Sequence, residues 1–421
     1  MVSKLLLIFS FYLPFQLALN PSAEVDLASG RVFILLLLFL WLAEGLKKRK
    51  LVIKNSSINF FIIGFLILNF FSLAVARNTD WSLRKLLFLF SVFPLYFVFS
   101  AVVNTPMKMQ KTIKALVYSG FFVAIIAILQ FFAQFVFGLN YVYSFWAKYI
   151  SPLFLGNNVT DAVLRNPSWL VNVSGRTYLR ATAMFPDPHM LAFFLGMLIP
   201  LALGLYLKNK KTSYLIIFCV MFLADLLTFS RGGYLGLFSG AVVVFLMAWK
   251  KIKKQYKITV GLVFILGMLI LSIPGPISQR FFSSFDFKEG SNQGRLETWR
   301  KAEEIILKHP FGGVGIGNYP LEIKATADYR EPIYAHSLYL DISAETGLIS
   351  LVAWLGMLVL VALNFIKKAK RDILFFCAML SVIIFSAHAL AETPLYSPII
   401  LPLFLIILAF NAVELDDEKT T

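Results

Sequence analysis

The sequence predicts an all-α polytopic membrane protein with about twelve transmembrane helices and a large external loop that contains amphipathic helices. Apolar residues make up 59% of the 421 residues, and the mean hydropathy is +0.77. Soluble proteins hold only about 45–50% apolar residues. The excess forms long runs that indicate membrane spans. The loops between these runs alternate in charge, which indicates their sides of the membrane.

Twelve apolar runs have, or approach, the roughly 17–25 residues that a transmembrane helix needs. The first run follows Lys4 and lacks a small-residue cleavage site, so we expect a retained span and not a signal peptide. The predicted spans cover residues 4–20, 31–46, 57–76, 84–103, 113–137, 189–207, 213–230, 232–249, 257–274, 346–366, 372–390 and 398–413.

Basic clusters mark the even-numbered loops from the second to the tenth. These clusters hold twenty of the 39 Lys and Arg residues and contain no acidic residue. By the positive-inside rule, we expect the even loops and both termini in the cytoplasm. The net charge of +16 is therefore mainly a topology signal, with anionic membrane lipid as the partner, and it does not indicate nucleic-acid binding.

The odd-numbered loops then face outward, and they hold the longest polar stretches. The predicted organisation is transmembrane helices 1–5 (1–137), an external loop (138–188), transmembrane helices 6–9 (189–274), a large external catalytic loop (275–345), transmembrane helices 10–12 (346–413) and an acidic cytoplasmic tail (414–421). The two cysteines, Cys219 and Cys377, lie in apolar runs and predict neither a disulfide framework nor a zinc site.

The motif FSRGG joins two predicted spans through a short turn that contains Ser230 and Arg231. A snorkelling anchor is the structural alternative for Arg231, but an arginine on the external side is not required for topology. Asp225 lies six residues earlier, about 9 Å along a helix. An intramembrane acid is a functional candidate by default, and a structural pairing of Asp225 with Arg231 is an equal alternative.

The large external loop holds two further candidates. Arg295 begins GRLETWRKAEEIILK, whose amphipathic pattern predicts a helix on the outer membrane surface. We expect Arg295 in the first turn, where free N–H groups favour an anion, and a solvated surface arginine is the alternative. His336 and Ser337 stand where the loop enters the tenth span. Lone histidines are more often structural, but this one lies near external arginines and predicts a general base.

Three more candidates stand beside spans. Arg180 and His189 flank the entry to the sixth span, where helix initiation is the alternative role of His189, and Glu392 lies between the last two spans. Guanidinium forks suit phosphate oxygens, and a histidine suits proton removal from an attacking hydroxyl. Without a carboxylate cluster, neither a metal nor a cofactor is expected. The pattern predicts a lipid phosphate or pyrophosphate as substrate.

Four segments in this order resemble the bacterial O-antigen ligase and O-antigen polymerase superfamily: RATAMFPDPHMLAFFLG, SRGG, GRLETWRKAEEIILKHPFGGVGIGNY and HSLYLDISAETGLISL. The resemblance is strongest over residues 180–366, and the first five spans agree in hydropathy only. It implies a GT-C-type membrane glycosyltransferase of lipopolysaccharide or other cell-envelope polysaccharide biosynthesis. Such enzymes take a glycan from undecaprenyl pyrophosphate at the outer face of the bacterial plasma membrane.

The resemblance implies that Arg231 and Arg295 hold the pyrophosphate, and that His336 is the base or positions the acceptor. Ser337 departs from the asparagine that often follows this histidine. Catalytic roles are thus predicted for His336, Arg295 and Arg231, and substrate binding for Arg180, Ser230, Ser337, His189, Asp225 and Glu392.

A ligase that transfers a finished glycan to lipid A core or a similar acceptor is the leading hypothesis. A polymerase of O-antigen or exopolysaccharide repeat units, which uses the same donor, is the alternative. A polysaccharide-related transporter or flippase and an envelope scaffold come from other classes. Transporters often show a repeat between their halves, and no such repeat is visible in this sequence.

Overall fold

A computed structural model describes residues 1–22, 25–51, 53, 56–165, 168–173, 175–248, 275–283, 290–331 and 333–415. Within these residues, six helices are long and apolar enough to cross a membrane, and five shorter apolar helices accompany them. The strands in the same residues form two short antiparallel hairpins. The structure therefore confirms the predicted all-α polytopic membrane class.

The N-terminal part contains the first predicted spans and one hairpin. A 3₁₀ turn over Leu13–Phe15, with a proline inside it, ends the first helix before its predicted end at residue 20. The elements are α1 (Val2–Tyr12), β1 (Ala18–Ser22), β2 (Val25–Ala28), α2 (Ser29–Lys47), α3 (Ser57–Phe71), α4 (Thr79–Val92), α5 (Pro94–Val102) and α6 (Pro106–Phe137).

The middle part begins with short elements over the predicted loop 138–188 and then returns to apolar helices. Residues 249–274, which hold the end of the eighth and the whole of the ninth predicted span, lie outside the described residues. The elements are α7 (Leu139–Phe145), α8 (Ser151–Leu155), α9 (Asn157–Arg165), β3 (Leu170–Val173), β4 (Arg176–Leu179), α10 (Pro188–Asn209), α11 (Thr212–Leu226) and α12 (Arg231–Val243).

The C-terminal part holds the amphipathic helix, confirmed as a helix, and the last apolar helices. Its elements are α13 (Pro276–Phe282), α14 (Gly290–Lys308), α15 (Tyr319–Ile323), α16 (Leu338–Ala369), α17 (Ile373–His388) and α18 (Ile400–Ala409).

Helix α10 lies at the centre of the bundle. In its most apolar stretch 78% of residues are buried, against 22% in α2, which marks α2 as peripheral. Helix α10 packs against α11 and α17, and every residue of α18 is buried as well. A helix that is apolar on all faces is suited to this position. The first residues of α10 therefore enter the protein interior and not the lipid.

Three glycines at one-turn spacing, Gly232, Gly236 and Gly240, bring α12 close to α17. A Cβ on Gly236 would lie 2.9 Å from the carbonyl oxygen of Ile384, and one on Gly232 would overlap the His388 ring. Small residues four apart let membrane helices approach closely. This contact sets the start of α12 beside the end of α17, where the candidate residues meet.

Helix α16 bends at Gly347, whose φ of 85° is not helical. The turn after Pro310 packs into the bend, and the amide of Leu348 donates to the Pro310 carbonyl at 2.8 Å. Gly313, Gly315 and Gly317 of this turn all have positive φ, a conformation that glycine adopts without steric cost. The helix begins at Leu338, before the predicted span at 346, because the bend joins a first polar segment to the apolar one.

We predict that Gly236→Val destabilises the protein by about 1–3 kcal/mol, because the added methyls overpack the contact between α12 and α17. Thermal unfolding in detergent, followed by size-exclusion chromatography, measures the effect. Gly64→Val is the matched control, since a Cβ on Gly64 meets no atom within 4 Å. Equal melting temperatures for the two variants would contradict the proposed packing.

Candidate functional site

The candidate residues meet where five segments come together. These segments are the start of α10, the turn before α12, the face of α14, the entry to α16 and the loop between α17 and α18. Five of the nine predicted site residues form one connected polar cluster through their side chains: His189, Ser230, Arg295, His336 and Glu392. Residues that are far apart in sequence therefore form one site.

Glu392 lies at the centre of this cluster. Nη2 of Arg295 donates to its Oε1 at 2.6 Å, and Nδ1 of His336 lies 3.3 Å from its Oε2. Nδ1 of His189 is 3.7 Å from Oε1. Glu392 is buried, with 8% of its surface exposed. A carboxylate in this position fixes the histidine and the arginine relative to each other.

The charges around Glu392 and His336 shift the pKa of each group toward its ionised form. Burial opposes a charged Glu392, but His189, the hydrogen bond to His336 and the charge of Arg295 outweigh it and lower the pKa of Glu392. The hydrogen bond to Glu392 raises the pKa of His336 above its ordinary value, against burial and Arg295. Below that raised pKa, His336 is an imidazolium, and above it a neutral ring held by a carboxylate.

His336 occupies the turn that precedes α16. Its φ of 51° lies in the left-handed region, which non-glycine residues seldom adopt and which costs energy. Ser337 follows as the N-cap of α16, and its side chain makes no capping hydrogen bond. The His336 side chain is 40% exposed. Among the described residues its Nε2 has no hydrogen-bond partner, so this nitrogen is open to a substrate.

Asp341 holds the two loops that carry His336 and Glu392. One of its carboxylate oxygens accepts from the amide of Ala335 at 2.9 Å. The other accepts from the hydroxyl of Thr393. Ala335 precedes His336, and Thr393 follows Glu392. Asp341 lies at i+5 and does not contact the His336 ring, as its spacing indicates, but it positions that ring through the backbone.

Ser230 links two further histidines. Its Oγ accepts from the amide of Gly233 and so caps α12. The same oxygen lies 2.9 Å from Nδ1 of His189 and 3.4 Å from Nε2 of His388. The His388 ring stacks on Phe193 with 3.6 Å between centroids. Helix initiation is therefore not the only role of His189, because its ring joins the cluster.

Arg180 is buried and only partly paired. Its Nε donates to the carbonyl of Thr228 at 2.7 Å, and its Nη1 to that of Ser168 at 2.9 Å. Its Nη2 is buried and has no hydrogen-bond partner among the described residues. Burial, followed by the nearby charge of Arg280, lowers the pKa of Arg180 to about 9. Arg180 is thus a cation at neutral pH with an unused donor.

Arg231 is the first residue of α12 and has 5% of its surface exposed. The short turn predicted between the two spans is confirmed, since α11 ends at Leu226. The carboxylate oxygens of Asp225 are buried and have no hydrogen-bond partner in the described part of the chain. A structural pairing of Asp225 with Arg231 is therefore not seen among these residues, and Asp225 makes no hydrogen bond to the cluster.

The sequence predicted Arg295 in the first turn of its helix, and this prediction is wrong. Helix α14 begins at Gly290, so Arg295 lies in the second turn. The argument from free amides at a helix start therefore fails for this residue. Its position is set instead by Ala302 and Ile305 of the same helix, which pack into the protein. The guanidinium of Arg295 donates to the Glu392 carboxylate.

The sequence analysis missed two neighbours of the cluster, Arg280 and His388. It also missed the positioning role of Asp341. Nε of Arg280 donates to the Phe229 carbonyl at 3.4 Å, beside the start of FSRGG. A titratable ring at the end of an apolar span is a signal for His388. No sequence signal reveals Arg280, which stands among other basic residues of the large loop.

Comparison with known protein families gives a match over part of the chain. Residues 215–355 match the family model described as O-antigen ligase, and no curated protein matches the chain. The matched range includes Asp225, Ser230, Arg231, Arg295, His336 and Ser337, and it excludes Arg180, His189 and Glu392. The match confirms the resemblance predicted from the sequence motifs and indicates glycosyltransferase-like activity in general. The chain is thus a multi-pass membrane protein, and its residues 215–355 are similar to the O-antigen ligase family.

Proposed function

We propose that this protein is an O-antigen ligase-like glycosyltransferase of the bacterial plasma membrane. It moves a glycan from undecaprenyl pyrophosphate to an acceptor hydroxyl, on lipid A core or a similar glycolipid, at the external face. The observation that carries the proposal is the Glu392 carboxylate, which contacts Arg295 at 2.6 Å and His336 at 3.3 Å. A proton acceptor and a phosphate-binding cation are thereby held side by side.

His336 is the proposed general base. With Nδ1 turned to Glu392, the neutral ring carries its proton on that nitrogen, and Nε2 keeps a free lone pair. The carboxylate fixes the ring orientation and stabilises the imidazolium that forms when Nε2 takes a proton. The partial exposure of His336 lets an acceptor sugar reach it.

Arginines are the proposed ligands of the pyrophosphate. Arg295 belongs to the cluster, Arg231 follows its member Ser230 in the chain, and Arg180 adds a buried guanidinium whose Nη2 is unused among the described residues. Leaving a buried donor unpaired costs about 1–3 kcal/mol, and a phosphate oxygen relieves that cost. Charge that develops on a leaving phosphate is stabilised most by donors already in place.

The transfer is a single displacement. The acceptor oxygen forms a bond to the anomeric carbon, and the bond from that carbon to the phosphate oxygen breaks. The electron pair leaves with undecaprenyl pyrophosphate, whose negative charge the arginines stabilise. The hydroxyl proton passes to Nε2 of His336. Attack from the side opposite the leaving group inverts the anomeric centre. The scheme uses only groups of this chain, and independence from metals stays a prediction.

We predict that His336→Ala lowers the transfer rate by about 10²–10⁴-fold, the usual contribution of a general base. For Arg231→Ala and Arg295→Ala we expect losses of about 10²–10³-fold, because each removes a charge-stabilising donor. Purified variants are assayed with a lipid-linked oligosaccharide donor and a glycolipid acceptor, and the products are separated by size.

Matched controls exist for two of these variants. His309→Ala and Arg300→Ala change exposed residues of the same loop and should retain wild-type rates. Arg295→Lys keeps a charge opposite Glu392 and separates loss of the forked donor from loss of stability. Wild-type transfer by His336→Ala would remove His336 from the mechanism and favour the transporter or scaffold alternatives.

We predict that the transfer rate rises with pH through a pKa above about 6.5, because His336 must be neutral to act and its pKa is raised. Glu392→Gln removes the group that raises this pKa and leaves the opposing charge of Arg295. The acidic limb of the rate profile should therefore move to lower pH, with a reduced plateau. Glu303→Gln, an exposed change on α14, should leave the limb in place. An unshifted limb in Glu392→Gln would contradict the proposed pair.

The ligase and polymerase alternatives predict different products from one assay. With donor alone, a ligase gives no extended product, whereas a polymerase gives a ladder of repeat units. Adding a glycolipid acceptor should produce one shifted acceptor band if the proposal is correct. A ladder without acceptor, abolished by His336→Ala, would retain the site assignment and replace the ligase with a polymerase.

A further inference from the structure

A cavity of about 510 Å³ lies between the segments that precede α3, end α5, end α16 and follow α18. These segments adjoin the basic loops and the C-terminal segment that the positive-inside rule assigns to the cytoplasm. None of the candidate-site residues lines this cavity. Its volume falls in the usual range of small-ligand sites, about 300–1,000 Å³.

The lining of this cavity is positively charged. Lys367, Lys368 and Arg371 contribute three cations from the end of α16, and Glu414 contributes one acid. Lys367 and Arg371 are exposed at the cavity. Lys368 also joins two segments of the lining, because its Nζ donates to the carbonyl of Val413 at 2.7 Å. The excess of cations favours an anionic occupant.

The start of α3 adds to this preference. Ser56 lines the cavity and caps the helix by accepting from the amide of Ile58 at 3.2 Å. The positive end of a fifteen-residue helix therefore opens on the cavity. Ile53 and Phe97 form an apolar part of the lining. A phosphate suits the cationic part, and the glycerol and first acyl carbons of a lipid suit the apolar part.

We infer that this cavity binds the phosphate-bearing headgroup of an anionic membrane lipid from the cytoplasmic leaflet. Basic pockets between transmembrane helices on this side recognise such headgroups. The mixed lining favours a lipid over a free phosphate, because a soluble anion leaves the apolar part unused. The site is independent of the proposed glycan transfer.

Delipidated protein is mixed with phosphatidylglycerol, phosphatidylethanolamine or glycerol 1-phosphate, and bound ligand is counted by native mass spectrometry. We expect a retained phosphatidylglycerol, which the double variant Lys367→Ala/Arg371→Ala binds roughly 25-fold more weakly, since each basic residue contributes about fivefold. The double variant Lys111→Ala/Lys114→Ala is the matched control, because it removes the same charge from the same predicted side but outside the cavity.

Equal phosphatidylglycerol binding by the two double variants overturns the site, and so does equal affinity of the wild type for phosphatidylethanolamine. Binding of glycerol 1-phosphate in place of the lipid, with the same loss in the cavity variant, supports the phosphate site and assigns it to a soluble ligand. Residues 416–421 include Asp416, Asp417 and Glu418. Lipid binding that occurs only after their deletion assigns the cavity to this acidic tail and overturns the proposal.

Discussion

The shared carboxylate of Glu392 is the interaction on which the candidate site depends. It accepts a hydrogen bond from Arg295 of the amphipathic helix on one side and contacts His336 of the turn before α16 on the other. Removing one partner of a buried ion pair typically costs about 3–5 kcal/mol. The three segments are therefore bound to one another by charge as well as by packing. The same contact that orders the loops also orients the proposed base.

Close contacts between helices place the partners of Glu392 within reach of its carboxylate. Close approach of α12 and α17 through glycines brings Ser230 to within 3.4 Å of His388. The bend at Gly347 lets α16 carry Asp341 toward the site before it continues as an apolar helix. Asp341 then fixes the residues beside His336 and Glu392. Precise side-chain geometry thus follows from a few close backbone contacts within the bundle.

The fold class could be predicted from the sequence because membrane burial leaves a direct record in composition and run length. Candidate residues such as Arg295, His336 and Glu392 could also be singled out in the sequence, because each is a titratable group on the predicted external side, although their roles stay predictions. The contacts between these side chains could not be predicted, because they join residues that are 56 and 97 positions apart in the sequence. Helical spacing indicates only neighbours on one element.

Two local errors have physical causes. The helix that carries Arg295 extends through Gly290 and Gly294, although glycine costs about 0.8–1.0 kcal/mol relative to alanine in a helix. Packing of this helix against α16 offsets the cost of the glycines, and the local sequence pattern does not reveal that packing. The positioning role of Asp341 was missed, because a spacing of five residues on a helix does not bring its side chain to the His336 ring. It acts on the neighbouring amide instead, which spacing does not exclude.

The long separation between His336 and Glu392 also governs when the site comes into being. Glu392 is synthesised 56 residues after His336, a delay of about 3–11 seconds at translation rates of about 5–20 residues per second. During that interval α17 must be made and inserted while His336 and Arg295 lack their common counter-ion. A nascent chain that stalls before Glu392 therefore lacks the carboxylate of the candidate site, and completion of this site comes late in membrane insertion.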